Sequence, residues 1–115
     1  MVGDVPNPFY VRATQYIYQH STFFKVMFGK NGIPSFQQQF LNIIKMYMME
    51  HIEKLHPSPD KMEIPKELFI HYVAHGYVGV IAYWLENNMQ YSPEYMAEKL
   101  SHMTINGPYH VAGLR

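Results

Sequence analysis

The chain has 115 residues, 48% hydrophobic and 16% aromatic, so it can form a single domain with a sizeable core over residues 1–115. It contains no cysteine, which excludes thiolate catalysis and Cys-based zinc or iron–sulfur sites and is compatible with a reducing cytoplasm. Its nine basic and nine acidic residues cancel without forming any Lys or Arg cluster, which excludes nucleic-acid binding by this chain alone.

The N-terminal segment MVGDVPNPFY lacks the basic and apolar regions of a secretory signal, so we expect a cytoplasmic protein. Asn7 can cap a helix whose first position is Pro8. This first helix is predicted to reach about His20. It then either continues into a short second helix or breaks at Ser21, and Gly29 ends the region.

The third predicted helix begins at Pro34 and Ser35. A turn over residues 30–34 precedes it, because Asn31 and Gly32 tolerate a positive φ there. A loop over residues 56–64 follows it, because that segment holds two prolines and several charges. The helix is predicted to place one stripe of residues in the core: Phe36, Phe40, Ile43 or Ile44, Tyr47, His51 and Leu55.

The fourth predicted helix runs from Pro65 to Asn87 and Asn88, and its residues 69–85 (FIHYVAHGYVGVIAYWL) include no charged side chain. Because it is apolar on nearly every side, we expect it to be buried on more than one side. In so small a chain, a second copy of the protein is the simplest cover for the remaining face. A membrane span needs roughly 20 apolar residues, and this shorter run holds two His and two Gly, so we expect no membrane span.

The fifth predicted helix begins at Ser92 with Pro93 and Glu94, and it ends at about Thr104. The tail beyond Pro108 is expected to be loose. No segment shows the alternation of a strand. The predicted fold is therefore all-α, with about five helices in an antiparallel bundle.

Histidines are the residues most able to carry chemistry in this chain. His71 and His75 lie four apart on one helix, a spacing that can place two imidazoles on one metal ion, but no third ligand can be named. His51 faces the predicted core and needs a partner there. Nothing resembles a nucleophile elbow. We therefore predict no catalytic residue, cofactor or metal, and the alternative is a small helical metal-binding protein or enzyme using one of these histidines.

Ten Tyr, seven Phe and nine Met exceed what a minimal helical core requires, and Met forms adaptable, polarisable walls. Small-molecule sites commonly lie between the helices of a bundle. We therefore predict a ligand cavity between helices 1, 3 and 4. Its predicted lining is Tyr16, His20, Phe24, Phe28, Phe40, Ile44, Tyr47, His51, Tyr72 and His75.

Four sequence features occur together, in this order: residues 23–29 (FFKVMFG), Phe36 with Phe40, residues 76–85 (GYVGVIAYWL), and residues 92–94 (SPE). The region from about Ala13 to Met103 thereby resembles the C-terminal domain of TetR-family transcriptional regulators. The resemblance is closest to the subgroup that includes the activator of dihydroxyacetone kinase operons. Its most specific part is the segment from Gly-x-x-Gly to Trp-Leu.

The resemblance implies a domain that binds a small, largely apolar or aromatic effector and forms a homodimer. In that family the last two helices pair with their copies as a four-helix bundle, and helices 4 and 5 match them here. The implied interface comprises Gly76, Tyr77, Gly79, Val80, Ile81, Trp84, Leu85, Met96, Leu100 and Met103. The family's N-terminal helix-turn-helix, which reads DNA, has no counterpart in these residues.

Overall fold

A computed structural model of the chain describes residues 8–30, 32–55 and 62–114. Within these ranges the fold is all-α, as predicted, with six helices and no strand. The helices are α1 (Pro8–Gln19), α2 (Ser21–Phe28), α3 (Ser35–Leu55), α4 (Lys66–Glu86), α5 (Pro93–Asn106) and α6 (Pro108–Val111). The predicted Asn7 cap and most of the predicted loop at 56–64 lie outside the described residues.

The predicted helix boundaries agree with the structure to within about two residues. The first and second helices are separate elements that meet at His20, whose amide still donates to the Tyr16 carbonyl at 3.1 Å. Ser92 caps α5, since its hydroxyl accepts from the Tyr95 amide at 3.0 Å, and Pro93 occupies the first helical turn. Local capping signals therefore position these helices.

The predicted loose tail is wrong, because Pro108–Val111 forms the short helix α6, which packs against α5. Gly107 makes the turn between the two helices with φ 87°, and its amide donates to the Met103 carbonyl at 3.0 Å. Pro108 ends one helix and also suits the first position of the next, because its fixed φ is helical.

Gly32 lies where the chain passes close to its own backbone. A Cβ at Gly32 would collide with the carbonyl oxygen of Met27. The close approach of two backbone segments therefore selects glycine here.

The chain divides into two compact units. The first comprises Met1–Lys25 and Trp84–Arg115, and the second comprises Val26–Tyr83. In the first unit α1 packs against α5. Thr14, which is fully buried, lies at their contact: its hydroxyl donates to the Tyr10 carbonyl at 2.7 Å, with the Pro93 carbonyl a second acceptor 3.2 Å away.

Most of the buried side chains of α3 come one residue after a residue of the predicted core stripe. Ile43 is 61% exposed, whereas Ile44 is buried. The large predicted residues on the neighbouring row are only half-buried: Phe36, Phe40, Tyr47 and His51. The row that reaches the core is Leu41, Ile44, Met48 and Ile52. Both rows are largely apolar, so periodicity alone cannot choose between them.

Helix α4 is the one described helix that is long and apolar enough to cross a membrane. Within its apolar window, 39% of the residues are buried inside the chain. A core helix of a soluble protein meets the same criteria, so length and composition are weak support for a membrane location.

Candidate functional site

An aromatic cluster links α2, α3 and α4 in the second unit. The ring of Phe28 makes edge contacts with Phe36 and Phe40, each with centroids 5.6 Å apart. Phe40 in turn stacks on Tyr77 at 6.4 Å, with an angle of 19° between the rings. Aromatic pairs of this kind stabilise by about 0.5–1.5 kcal/mol each beyond the area they bury. Two residues of the predicted cavity, Phe28 and Phe40, are thus in contact.

Three more residues of the predicted cavity follow Phe40 along α3. Ile44 is buried at 2% exposure, and Tyr47 and His51 are half-buried. Their spacing places all four on one side of the helix. A hydroxyl and an imidazole therefore lie along the same side of α3 as the aromatic cluster, an arrangement that suits a ligand with an apolar body and a polar group.

Tyr72 and His75, the two cavity residues predicted on α4, are exposed. Tyr72 is 69% exposed and lies five residues before Tyr77, which places the two on largely opposite sides of the helix. The structure therefore does not bring Tyr72 to the side of α4 that contacts Phe40.

The remaining cavity residues, Tyr16, His20 and Phe24, belong to the first unit. Tyr16 lies against His20, with ring centroids 4.4 Å apart, and makes an edge contact with Phe24 at 6.0 Å. Phe24 is buried, whereas Tyr16 is 57% exposed. These three rings form a contiguous group along α1 and α2.

Hydroxyl groups connect α1 to α5. The Thr104 hydroxyl donates to the Leu100 carbonyl at 2.8 Å, so the Tyr10 hydroxyl, 3.3 Å away, donates to Thr104. Burial raises the pKa of Tyr10 above its ordinary value of 10.0, and the hydrogen bond with Thr104 acts in the opposite direction. Burial therefore favours the neutral form of Tyr10, whose hydroxyl lies between α1 and α5.

An open groove of about 580 Å³ in the first unit was not predicted from the sequence. It lies beside the connection between α4 and α5, where Asn88 and Met89 have φ of 58° and 53°. Tyr18 stacks on Trp84 at 6.3 Å at its edge, and Gln15 donates to Glu94 at 3.4 Å. The lining residues are Gln15, Tyr18, Gln19, Met89, Gln90, Tyr91, Ser92, Pro93 and Glu94. The backbone turn that forms it leaves no periodic signal in the sequence; Asn87 and Asn88 mark only the end of α4.

One side of α4 is exposed along most of its length, and we call it the open face. Its residues recur at intervals of three and four and so share one side of the helix: Leu68, His71, Tyr72, His75, Gly76, Gly79 and Tyr83. Three of them are large and 61–69% exposed, Leu68, Tyr72 and Tyr83. The opposite side carries the buried residues Ile70, Ala74, Tyr77, Val78 and Ile81.

The residues predicted at a dimer interface, on α4 and α5, differ widely in exposure within the single chain. Gly76 and Gly79 lie on the open face. Val80 and Met103 are half-buried. The other six are each 6% exposed or less within the single chain: Tyr77, Ile81, Trp84, Leu85, Met96 and Leu100. The surface that α4 offers to another molecule is therefore centred on its glycines and exposed tyrosines.

Neither glycine of the open face is required by packing within the described part of the chain. A Cβ at Gly76 or Gly79 would meet no described atom within 4 Å. Glycine inside a helix costs roughly 1 kcal/mol relative to alanine. Contacts among the described residues therefore do not offset this cost.

The described residues contain no group of three or more metal-ligating side chains. Of the three histidines considered from the sequence, His71 and His75 are exposed neighbours on α4, with rings 5.9 Å apart. His51 is half-buried on α3. A complete metal centre built from one chain is therefore not formed by the described part of the protein.

The family model for the C-terminal region of TetR-type transcriptional regulators matches residues 4–106. The match includes all of α1 to α5 and hence the aromatic cluster, the groove and the open face. Neither the curated proteins nor the solved structures compared with the chain contain a match to it.

Proposed function

The chain belongs to the TetR-type family of transcriptional regulator C-terminal regions, and from this we propose that it binds a small effector and pairs with a second copy. In this proposal it is the regulatory domain of a cytoplasmic transcription factor and has no catalytic role. The effector changes the pairing or shape of the domain, and the DNA-reading part responds.

The open face of α4 is the observation that carries this proposal. It exposes Leu68, Tyr72 and Tyr83 around two glycines that no described contact within the chain explains. Small residues let two helices approach closely, so that flanking side chains interdigitate. The occupant we propose is α4 of a second copy, because two identical faces can pair by a two-fold axis. Pairing removes the exposed tyrosines from water and supplies a reason for both glycines.

For the effector, we propose a site along α2 and α3 in the second unit. Phe28, Phe40 and Ile44 supply apolar walls, and Tyr47 with His51 supply polar groups at its edge. This composition favours a small, largely apolar or aromatic molecule bearing one hydrogen-bonding group. The half-buried state of Phe40 and Tyr47 leaves surface for such a ligand to cover.

A thermal-shift screen with small aromatic acids, alcohols and amines tests the effector site. A binding compound should raise the Tm, because it stabilises the folded state by mass action. Phe40→Ala should abolish that shift, whereas Ile43→Ala, which changes an exposed side chain on the same helix, should keep it. If every active compound still shifts the Phe40→Ala variant as it does the wild type, the effector binds elsewhere.

We propose that the helix-turn-helix which reads DNA is supplied by a segment outside these residues, as in the subgroup of the dihydroxyacetone kinase activator. This chain has no net charge, and phosphate neutralisation supplies most non-specific affinity for DNA. A gel-shift assay with the 115 residues should show no binding, and salt-sensitive binding at micromolar protein would contradict the proposal.

A further inference from the structure

Two exposed histidines on the open face of α4 are held in a common orientation. The Nδ1 atom of His71 lies 2.8 Å from the carbonyl oxygen of Glu67, and Nδ1 of His75 lies 2.8 Å from the carbonyl oxygen of His71. The two rings are almost parallel, with an angle of 17° and centroids 5.9 Å apart. The same hydrogen-bond arrangement therefore occurs at both histidines, which lie about one helical turn apart.

The hydrogen bonds determine which ring nitrogen can bind another group. A carbonyl oxygen only accepts, so each Nδ1 carries the proton and donates it. In a neutral imidazole the other nitrogen, Nε2, then bears a free lone pair. Histidines that bind metals usually donate their other ring N–H to a carbonyl or carboxylate, which fixes the ring and its tautomer. Both histidines already have this support in the chain.

We propose that His71 and His75 form a two-histidine site for a borderline transition-metal ion such as Cu²⁺, Ni²⁺ or Zn²⁺. Imidazole nitrogens suit these ions, and residues four apart on a helix can reach one ion together. The two rings, nearly parallel and 5.9 Å apart in the free chain, turn towards each other when the ion binds. Because the described residues hold no third ligand nearby, water completes the coordination. The site takes one ion per chain.

The histidine pair also lies to one side of the proposed helix contact. At 100° per residue, His75 and His71 lie roughly 70° and 110° around α4 from the midpoint between Gly76 and Gly79. The pair is therefore at the flank of a contact centred on the glycines. Metal binding does not depend on pairing, and failure of one leaves the other intact.

Isothermal titration with Ni²⁺ and Cu²⁺ tests the site, with Mg²⁺ as the control ion because it prefers oxygen ligands. The wild type should bind one ion per chain, more tightly for Cu²⁺ than for Ni²⁺. His71→Ala and His75→Ala should each weaken binding at least about tenfold, because the second ligand no longer binds intramolecularly. His110→Ala, which removes an exposed histidine on α6, should leave the affinity unchanged.

Circular dichroism of each variant confirms that the helices are retained. The proposal is overturned if both single variants bind Ni²⁺ as tightly as the wild type, or if the wild type does not bind either ion. Either result would show that the paired imidazoles do not act as a chelate.

Discussion

The indole Nε1 of Trp84 donates to the main-chain carbonyl of Tyr91 at 2.9 Å. Trp84 is only 1% exposed, and its own carbonyl accepts from the Met89 amide at 2.8 Å. The side chain and the backbone of one residue near the end of α4 thus each bond to the connection between α4 and α5. Since that connection borders the groove, Trp84 fixes the groove's shape as well as the core.

Replacing Trp84 by Phe removes this hydrogen bond and part of the buried ring. We expect a loss of about 1–3 kcal/mol in the free energy of unfolding, from an unpaired carbonyl and a small cavity. Urea denaturation followed by circular dichroism measures it. Tyr109→Phe, at a 66% exposed position, should cost less than about 0.5 kcal/mol. Equal effects of the two changes would show that the Trp84 contact is energetically unimportant.

Gly32→Ala should destabilise the chain because its Cβ meets the Met27 carbonyl oxygen. Overpacking against backbone typically costs about 1–3 kcal/mol. The neighbouring change Ile33→Ala, at a 59% exposed side chain, should have little effect. Thermal unfolding of both variants compares them, and an unchanged Tm for Gly32→Ala would contradict the close backbone approach.

The buried phenol of Tyr10 should make stability fall at high pH. Burial raises its pKa in the folded state above the ordinary value of 10.0, so above pH 10 the unfolded chain binds fewer protons than the folded one. Stability then decreases as the pH rises from 10 through the folded-state pKa, and below pH 10 this contribution is constant.

The pH dependence of Tyr10 is measured by urea denaturation between pH 8 and pH 11. Tyr10→Phe cannot ionise, so its stability should decline less steeply than that of the wild type over the upper part of this range. Parallel curves for the two proteins would mean that Tyr10 makes no contribution to the decline.

Ser92→Ala removes the side chain that accepts from the Tyr95 amide at the start of α5. Loss of an N-cap of this kind costs about 1 kcal/mol. Ser92→Asp keeps an accepting oxygen and should retain most of the stability. Chemical denaturation distinguishes the two, and a similar loss for both variants would show that the cap itself is not what matters.

The helix boundaries could be predicted because they depend on residues close in sequence. Ser92 and Pro93 mark the start of α5, and the structure has the cap there. The short helix after Gly107 was missed because Gly-Pro is read as a stop, whereas Pro108 also begins a helix well. Local signals identify a boundary more reliably than they identify the structure on its far side.

The sequence could not predict which side of α4 faces the core, because tyrosines occur on both sides of the helix. Tyr77 is buried and Tyr72 is exposed, yet hydropathy treats them alike. The stacking contact with the Phe40 ring lies on the Tyr77 side of α4, so a tertiary contact determines which tyrosine is covered. For the same reason, both cavity residues predicted on α4, Tyr72 and His75, lie on the exposed side of the helix.

The groove could not be predicted from the hydrophobic pattern or from the capping residues. It is bounded by the turn in which Asn88 and Met89 adopt positive φ. Asparagine tolerates this conformation and methionine seldom adopts it. No periodic pattern marks such a turn, so its shape emerges only from the folded backbone.

Pairing through the open face of α4 is tested most directly by multi-angle light scattering at low micromolar protein. The wild type should have twice the mass of one chain. Gly79→Glu should be a folded monomer, because a charge at a close helix contact loses its hydration. Gln39→Glu, which adds the same charge at an exposed position on α3, should remain a dimer. A well-folded, monomeric wild type at this concentration would contradict pairing.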